Sequence, residues 1–250
     1  MWWTKALKGK KNRQISIGFV TDKGTIRERN EDSVWCIADG NEALCMVADG
    51  VGGRHGGEYA SATAAKAVAK YWKKSQGLSG LKRIFDEAHA EIRGFMDNTR
   101  EKAGTTLSVL YCLNDEYSVA HAGDSRVYRV SGGRRAKIEM LTKDDTWVAE
   151  RIREGVITAA EAETHPKKHT LTNCLGGVEN CKVYETRGQI GVDDTFLLCS
   201  DGLYNYIDEP ELLSILRRHD DTQKTADKLL QLALTRGGRD NISAIVVNFH

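Results

Sequence analysis

Proline is almost missing, with two in 250 residues, and no stretch is low in complexity. Those two absences argue against a long Pro-rich linker or disordered tail. No run of 18 apolar residues occurs, so no transmembrane segment is expected. Neither sign of charge is in excess: 36 Lys and Arg face 35 Asp and Glu, a formal net charge of +1. A chain so balanced is not expected to coat nucleic acid or an anionic membrane. The opening MWWTKALKGKKNR lacks an apolar h-region, so residues 1–14 are read as a basic, solvated tail and not as a signal peptide. No C-x-x-C pair occurs, which disfavours a zinc ribbon. Of the six cysteines, Cys36, Cys45, Cys112 and Cys199 sit in apolar runs, while Cys174 and Cys181 do not. Buried free thiols in a cytoplasmic protein are the expected reading.

The chain is 40% hydrophobic and 28% charged, ordinary for a globular protein. Short apolar runs rich in β-branched residues predict strands over 15–21, 33–38, 43–48, 105–113, 117–122, 126–131, 183–190, 195–199 and 242–249. Helical periodicity predicts helices over 57–75, 79–98, 209–218 and 222–236. Ala60, Ala64, Ala67 and Tyr71 fall on one face of the first. The order is strands, a helix pair, many strands, a helix pair and one last strand, which suggests an α+β layer structure built on antiparallel sheets. Residues 15–250 read as a single domain. The charged stretch 144–180, with HPKKH and short helical fragments, reads as an insertion or flap.

The acids fall at the ends of apolar strands. Asp49 follows ALCMVA, Asp201 follows TFLLCS, Asp124 follows YSVAHAG, Glu31 and Asp32 precede SVWCIA, and Asp240 precedes Asn241 and the last strand. Asp-Gly is also a hairpin signal. That explains Asp39-Gly40, which has strands on both sides, but not Asp49-Gly50 or Asp201-Gly202. Gathered carboxylates repel one another unless cations intervene. An oxygen-only ligand set suits Mg²⁺ or Mn²⁺, and a pair of such ions can activate water against a phosphoryl group. Arg27 and Arg29 are equally placed by spacing to fork a phosphate.

The motifs RERNEDS, VADGVGG, AGTTLSVL, HAGDSRVY, LLCSDGL and GGRDNISAIVV occur in that order over residues 15–249. In this the chain resembles the metal-dependent protein phosphatases of type 2C, especially the compact bacterial members. The resemblance implies a four-layer αββα sandwich, two antiparallel sheets flanked by pairs of antiparallel helices. It implies hydrolysis of phosphoserine and phosphothreonine in proteins, by in-line attack of a water activated between two Mg²⁺ or Mn²⁺ ions. Asp49 would bridge the two ions, with the Gly50 carbonyl on one of them. Glu31 and Asp32 would sit beside them, mostly through water, and Asp201 and Asp240 would hold the other. Asp124 would hold a weaker third ion, sharing Asp201. Arg27 would bind phosphate, Asn241 would be a supporting neighbour, Gly104-Thr105-Thr106 would serve the strand and packing, and 144–180 would be the family flap. The implied partners are phosphorylated Ser/Thr proteins and a cognate Ser/Thr kinase whose action the chain reverses. It is expected to be a monomer.

Two departures stand out. Some family members carry His after the Asp-Gly pair as a general acid, where this chain has Val51. His55 is the nearest substitute but reads as an exposed loop residue, so the proton is expected from water on the ions. Bacterial members often open the flap with Asp-His-Ser, where this chain has Asp144-Asp145-Thr146. Two other readings compete. Cys181 and Arg187 form a C-x₅-R pattern, but their loop has no phosphate cradle before a helix. A catalytically inactive binding module would ordinarily have lost a metal acid, and none of the matched acids is missing.

Overall fold

The computed structural model describes residues 14–53, 55–71, 78–133, 135–218 and 220–249. The basic tail read from the sequence lies outside them, except for Gln14. Two antiparallel sheets form the centre. One has the order β1 (Ile15–Asp22), β11 (Ile242–Phe249), β10 (Thr195–Cys199), β7 (Arg126–Val130), β8 (Ile138–Met140). The other runs β2 (Asp32–Asp39), β3 (Glu42–Gly52), β5 (Leu107–Leu113), β6 (Glu116–Ala122), β9 (Tyr184–Gln189), with β4 (Ala103–Thr105) paired to β3.

Three apolar cores define four layers. The innermost lies between the sheets, where Val47, Leu110 and Val119 meet Phe196, Ile245 and Val247. A second lies under α1 (Gly56–Tyr71) and α2 (Leu78–Thr99), where the buried Ala60, Ala64, Ala67 and Tyr71 confirm the stripe read from the sequence. The small side chains on α1 let the helix lie close on its sheet. The third lies under α6 (Glu209–Leu216) and α7 (Thr222–Thr235). Those two helices begin at Asp208 and Asp221, whose carboxylates accept from Glu211 N and Lys224 N.

Several predicted elements differ in detail. Strand β3 continues through Asp49 and Gly50 to Gly52, because β4 pairs with its last residues. Asp49 therefore sits inside a strand, not after one. The predicted strand 105–113 is broken at Thr106, whose side chain bonds to β3 instead. Strand β8 was not foreseen, since IEM is too short and exposed to give an apolar run. The segment 144–180 does lie between strands and contains α3 (Trp147–Arg153) and α4 (Ala159–Glu163). A further short helix, α5 (Asp201–Tyr204), begins at the second acidic Asp-Gly. Asp39-Gly40 closes the β2–β3 hairpin, with Gly40 at φ 61°. All six cysteines are free; Cys45, Cys112, Cys174 and Cys199 are buried, but Cys36 and Cys181 are only partly so.

Candidate active site

Asp32 and Asp49 are cross-strand partners on β2 and β3. The Asp49 main chain is clamped: its N–H donates to Thr106 Oγ1 at 2.8 Å, and its carbonyl accepts from Thr105 Oγ1 at 3.0 Å and Thr106 N at 2.9 Å. Thr106 Oγ1 in turn lies 2.6 Å from Ser125 Oγ, next to Asp124. The Gly-Thr-Thr run thus does more than pack; it fixes the residue at the centre of the acid cluster. Gly50 is equally constrained. Its N–H donates to Glu31 O at 3.1 Å, and a Cβ there would stand 2.3 Å from Gly57 O.

The opposite sheet supplies the remaining acids. Ser200, at the end of β10, donates from Oγ to Asp32 Oδ2 at 2.7 Å and accepts from Ser243 N at 3.0 Å. Asp201 follows at the start of α5, where Gly202 is required because a Cβ would meet Asn241 O at 2.0 Å. Asn241 accepts from Glu31 N at 2.8 Å and donates to Lys23 O at 3.0 Å and Arg29 O at 2.8 Å. It ties the loop carrying Arg27 and Glu31 to the end of β11. Arg27 Nη2 donates to Asp240 Oδ2 at 2.8 Å. Arg29 points elsewhere, to His55 Nδ1 and to Glu58 at 3.5 Å, which separates the two arginines that spacing could not.

Arg27, Glu31, Asp49, Gly50, Asp124, Asp201, Asp240 and Asn241 line one cavity of about 630 Å³. Of the residues the resemblance assigns to the ions or to phosphate, only Asp32 is missing from that lining, and it is 8% exposed; Arg29 and His55 do not line the cavity either. Burial, reinforced by neighbouring carboxylates, pushes Asp49 well above the usual range, Asp32 to about 7 and Asp124 to about 8. Burial also raises Glu31. The cluster therefore has more buried acid than local cation to neutralise it. Among the described residues, no three His, Cys, Asp or Glu side chains close into a ready-made metal cage. Arg27 holds Asp240, and His169 Nδ1 lies 3.4 Å from Asp201 Oδ2. Divalent cations nevertheless fit the site. Its acidic donors are all oxygens, burial and neighbouring carboxylates raise Asp32, Asp49 and Asp124, and Asp32 Oδ1 is buried without a hydrogen-bond partner.

Sequence reasoning missed His169. It comes from the segment 144–180, and, though exposed like His55, it lines the cavity and is raised by its hydrogen bond to Asp201, whereas His55 does not line the cavity. The HPKKH cluster was the available signal. The start of the 144–180 segment was underestimated as well. Arg126 forks Asp144, Nε to Oδ1 at 3.1 Å and Nη2 to Oδ2 at 2.7 Å, and stacks 3.7 Å from the Tyr204 ring centre. Asp145 Oδ2 accepts from Gly123 N at 3.1 Å and from Asn173 Nδ2 at 2.7 Å. Asp144 and Asp145 thus fasten the start of the 144–180 segment beside Asp124. Val51, where some members of the resembled family carry histidine, lines the cavity and has no proton to donate. The C-x₅-R alternative fails: burial pushes the Cys181 thiol up to about 12, and Arg187 lies within β9.

The profile of the protein phosphatase 2C family matches residues 26–236. The chain is 32% identical over 239 residues to the serine/threonine phosphatase stp of Listeria monocytogenes, covering 92% of this chain and 94% of that protein. Its fold is similar to the crystal structure of the Mycobacterium tuberculosis serine/threonine phosphatase PstP/Ppp, with a TM-score of 0.84, 31% identity, and coverage of 94% and 98% of the two chains. A second similar structure is the catalytic domain of PstP in complex with two manganese ions, at a TM-score of 0.83, 30% identity, and coverage of 95% and 99%.

Proposed function

Because the chain belongs to the protein phosphatase 2C family, we propose that it hydrolyses phosphoserine and phosphothreonine in proteins with Mg²⁺ or Mn²⁺. The observation that carries this reading is the meeting of acids from both sheets, the buried Asp32 and its partner Asp49 from one and the partly exposed Asp201 and Asp240 from the other, around one cavity. Asp49, with the Gly50 carbonyl, Asp201 and Asp240 would hold two core ions, with Glu31 and Asp32 beside them. Asp124 would hold a weaker third. The ions would neutralise the cluster, activate water for in-line attack and offset charge on the phosphoryl oxygens.

The chain's own residues do the rest. Arg27 would turn its guanidinium from Asp240 to two phosphoryl oxygens, a planar fork that lysine cannot reproduce. Thr105 and Thr106 fix the Asp49 main chain, and Asn241 fixes the loop that carries Arg27. Holding the reacting groups in place is itself a large part of catalysis. The biological reading is reversal of a Ser/Thr kinase by a monomeric cytoplasmic enzyme, one phosphatase domain over residues 15–250 with its flap at 144–180. Among the described residues no helix is long and apolar enough to cross a membrane.

Phosphate release from a phosphothreonine peptide tests the proposal. Turnover is expected with Mn²⁺, and is expected to vanish with EDTA and in Asp201→Asn, with the fold retained by circular dichroism. Turnover that survives EDTA would overturn it.

A further inference from the structure

Outside the carboxylate site, two pairs of thiols are neighbours. Cys174 and Cys181 lie near the end of the flap segment, and burial pushes them up to about 11 and about 12, which leaves little reactive thiolate. The other pair is different. Cys36 and Cys45 are register partners on β2 and β3. The Gly50 N–H bond to Glu31 O identifies that rung as hydrogen-bonded. Antiparallel rungs alternate, so Asp32/Asp49, Val34/Val47 and Cys36/Cys45 all occupy non-hydrogen-bonded rungs, with Cα atoms about 4.5 Å apart. Disulfides span Cα separations of about 4.4–6.8 Å, so such a rung falls at the short end of bridging range. A bridge at the short end of that range is strained and hence easily reduced.

Access and reactivity are divided between the two. Strand β2 is a sheet edge, and Cys36 is only partly buried, while Cys45 is buried. A hydrogen bond with Cys45 lowers the Cys36 thiol, and the same contact together with burial raises Cys45. Cys36 is thus the attacking thiolate and Cys45 the resolving thiol. Cys112 is the other nearby thiol, but it is buried and opposite Ala43, not Cys45.

We propose that Cys36 and Cys45 form a hydroperoxide-sensitive modification site that closes to a reversible cross-strand disulfide and lowers turnover at the carboxylates on the same two strands. The Cys36 thiolate attacks a peroxide oxygen, the O–O bond breaks, and Cys36 becomes a sulfenic acid with release of hydroxide. The Cys45 sulfur then attacks the Cys36 sulfur; the S–S bond forms, the S–O bond breaks and water leaves. Two thiols lose two electrons and two protons, and the peroxide becomes two waters. Cys36 and Cys45 share a face with Asp32 and Asp49, four rungs or about 13 Å along the ribbon. A bridge there fixes the twist of the ribbon that carries both acids. The turnover clause rests on the phosphatase reading above, whereas the covalent clause does not.

The full chain, treated with equimolar hydrogen peroxide and digested without reductant, tests both clauses by mass spectrometry and by nitrophenyl phosphate turnover with Mn²⁺. A Cys36–Cys45 linked peptide is expected, with a several-fold fall in turnover, and dithiothreitol is expected to reverse both. Cys36→Ser and Cys45→Ser should keep the turnover of the untreated protein and resist peroxide. Sulfinic acid on Cys36 without a link, or a Cys45–Cys112 or Cys174–Cys181 link in its place, would overturn the site. A linked peptide with unchanged turnover would overturn its control of activity. If the reduced protein shows no turnover at all, the phosphatase reading fails, and the peptide masses still decide the thiol site.

Discussion

Asp32 and Asp49 stand directly opposite each other on a rung of the β2–β3 ladder where side chains approach most closely. Like charges so placed destabilise a sheet. Here the arrangement is kept rigid from outside: Thr105 and Thr106 hold Asp49, and Ser200 holds one oxygen of Asp32. Such a pair is tolerable when protonated or when shared cations lie between its members. The folded protein without metal therefore carries an acid cluster that favours protons, and with metal a cluster that favours cations.

That relation gives the metal-free protein an unusual pH dependence. Asp32 is raised from 3.8 to about 7 and Asp124 from 3.8 to about 8, so between those values the folded state binds more protons than the unfolded chain. Stability must then fall as pH rises from about 4 to 8, the reverse of a salt-bridged carboxylate. In EDTA the Tm is expected to be several degrees higher at pH 5 than at pH 8, and Asp32→Asn to flatten the difference. Mn²⁺ should restore the pH 8 value. A Tm in EDTA that rises across this window would contradict the buried, unneutralised cluster.

Arg27 and Arg29 should separate cleanly. Arg27 faces the cavity and Asp240, while Arg29 faces His55 and Glu58. Arg27→Ala is expected to cost about 1.5–3 kcal/mol in kcat/KM, the value of a charged hydrogen-bond pair. Arg27→Lys should recover only part, because the fork is lost. Arg29→Ala should change kcat/KM little. A larger loss in Arg29→Ala than in Arg27→Ala would show that the other guanidinium engages phosphate.

Thr106 offers a test of how Asp49 is held. Thr106→Val preserves shape but removes the acceptor of Asp49 N–H and the partner of Ser125 Oγ. A buried donor left unsatisfied costs about 1–3 kcal/mol. The variant should unfold at lower urea, and its kcat should drop more than its KM changes, since the displaced group acts on the reacting centre. Wild-type kcat in a destabilised Thr106→Val would restrict this threonine to packing.

Asp124 should matter to turnover more than to the core ions. It sits on the loop after β6, apart from the Asp32–Asp49 ladder, and lines the cavity with Asp201 and a second one with Asp144. Asp124→Ala is expected to bind two metal ions by calorimetry and to turn over poorly. Loss of all metal binding would place Asp124 in the two-ion core.

Much of this was legible in the sequence, for physical reasons. A strand rich in β-branched residues declares itself by its apolar run, and an acid at its end stands out against that run, so Asp201, Asp240 and Asp124 were found together. What stayed hidden depended on distant pairing. Strand β3 looked finished at residue 48 because nothing local announces that Ala103–Thr105 will pair with Gly50–Gly52. The role of Ser200 as a donor to Asp32, 168 residues away, has no signature at all. His169 was hidden for another reason: a histidine in a charged insertion looks like solvated surface until the fold lays it against Asp201.

The two histidines near the site can be told apart by the leaving group. A serine alkoxide needs a proton as it departs, whereas nitrophenolate does not, and general acid catalysis contributes roughly 10²–10⁴-fold. A general acid therefore reveals itself as a loss confined to the phosphoserine peptide. His55 is exposed and turned to Arg29, so His55→Ala should leave both substrates unchanged. His169 reaches Asp201 from the 144–180 segment, so His169→Ala should slow both substrates by a similar factor, through the position of that carboxylate. A loss of about a hundredfold on the peptide alone, within the range of general acid catalysis, would identify the mutated histidine as the proton donor. In His169→Ala that result would mean the 144–180 segment supplies the acid that Val51 cannot.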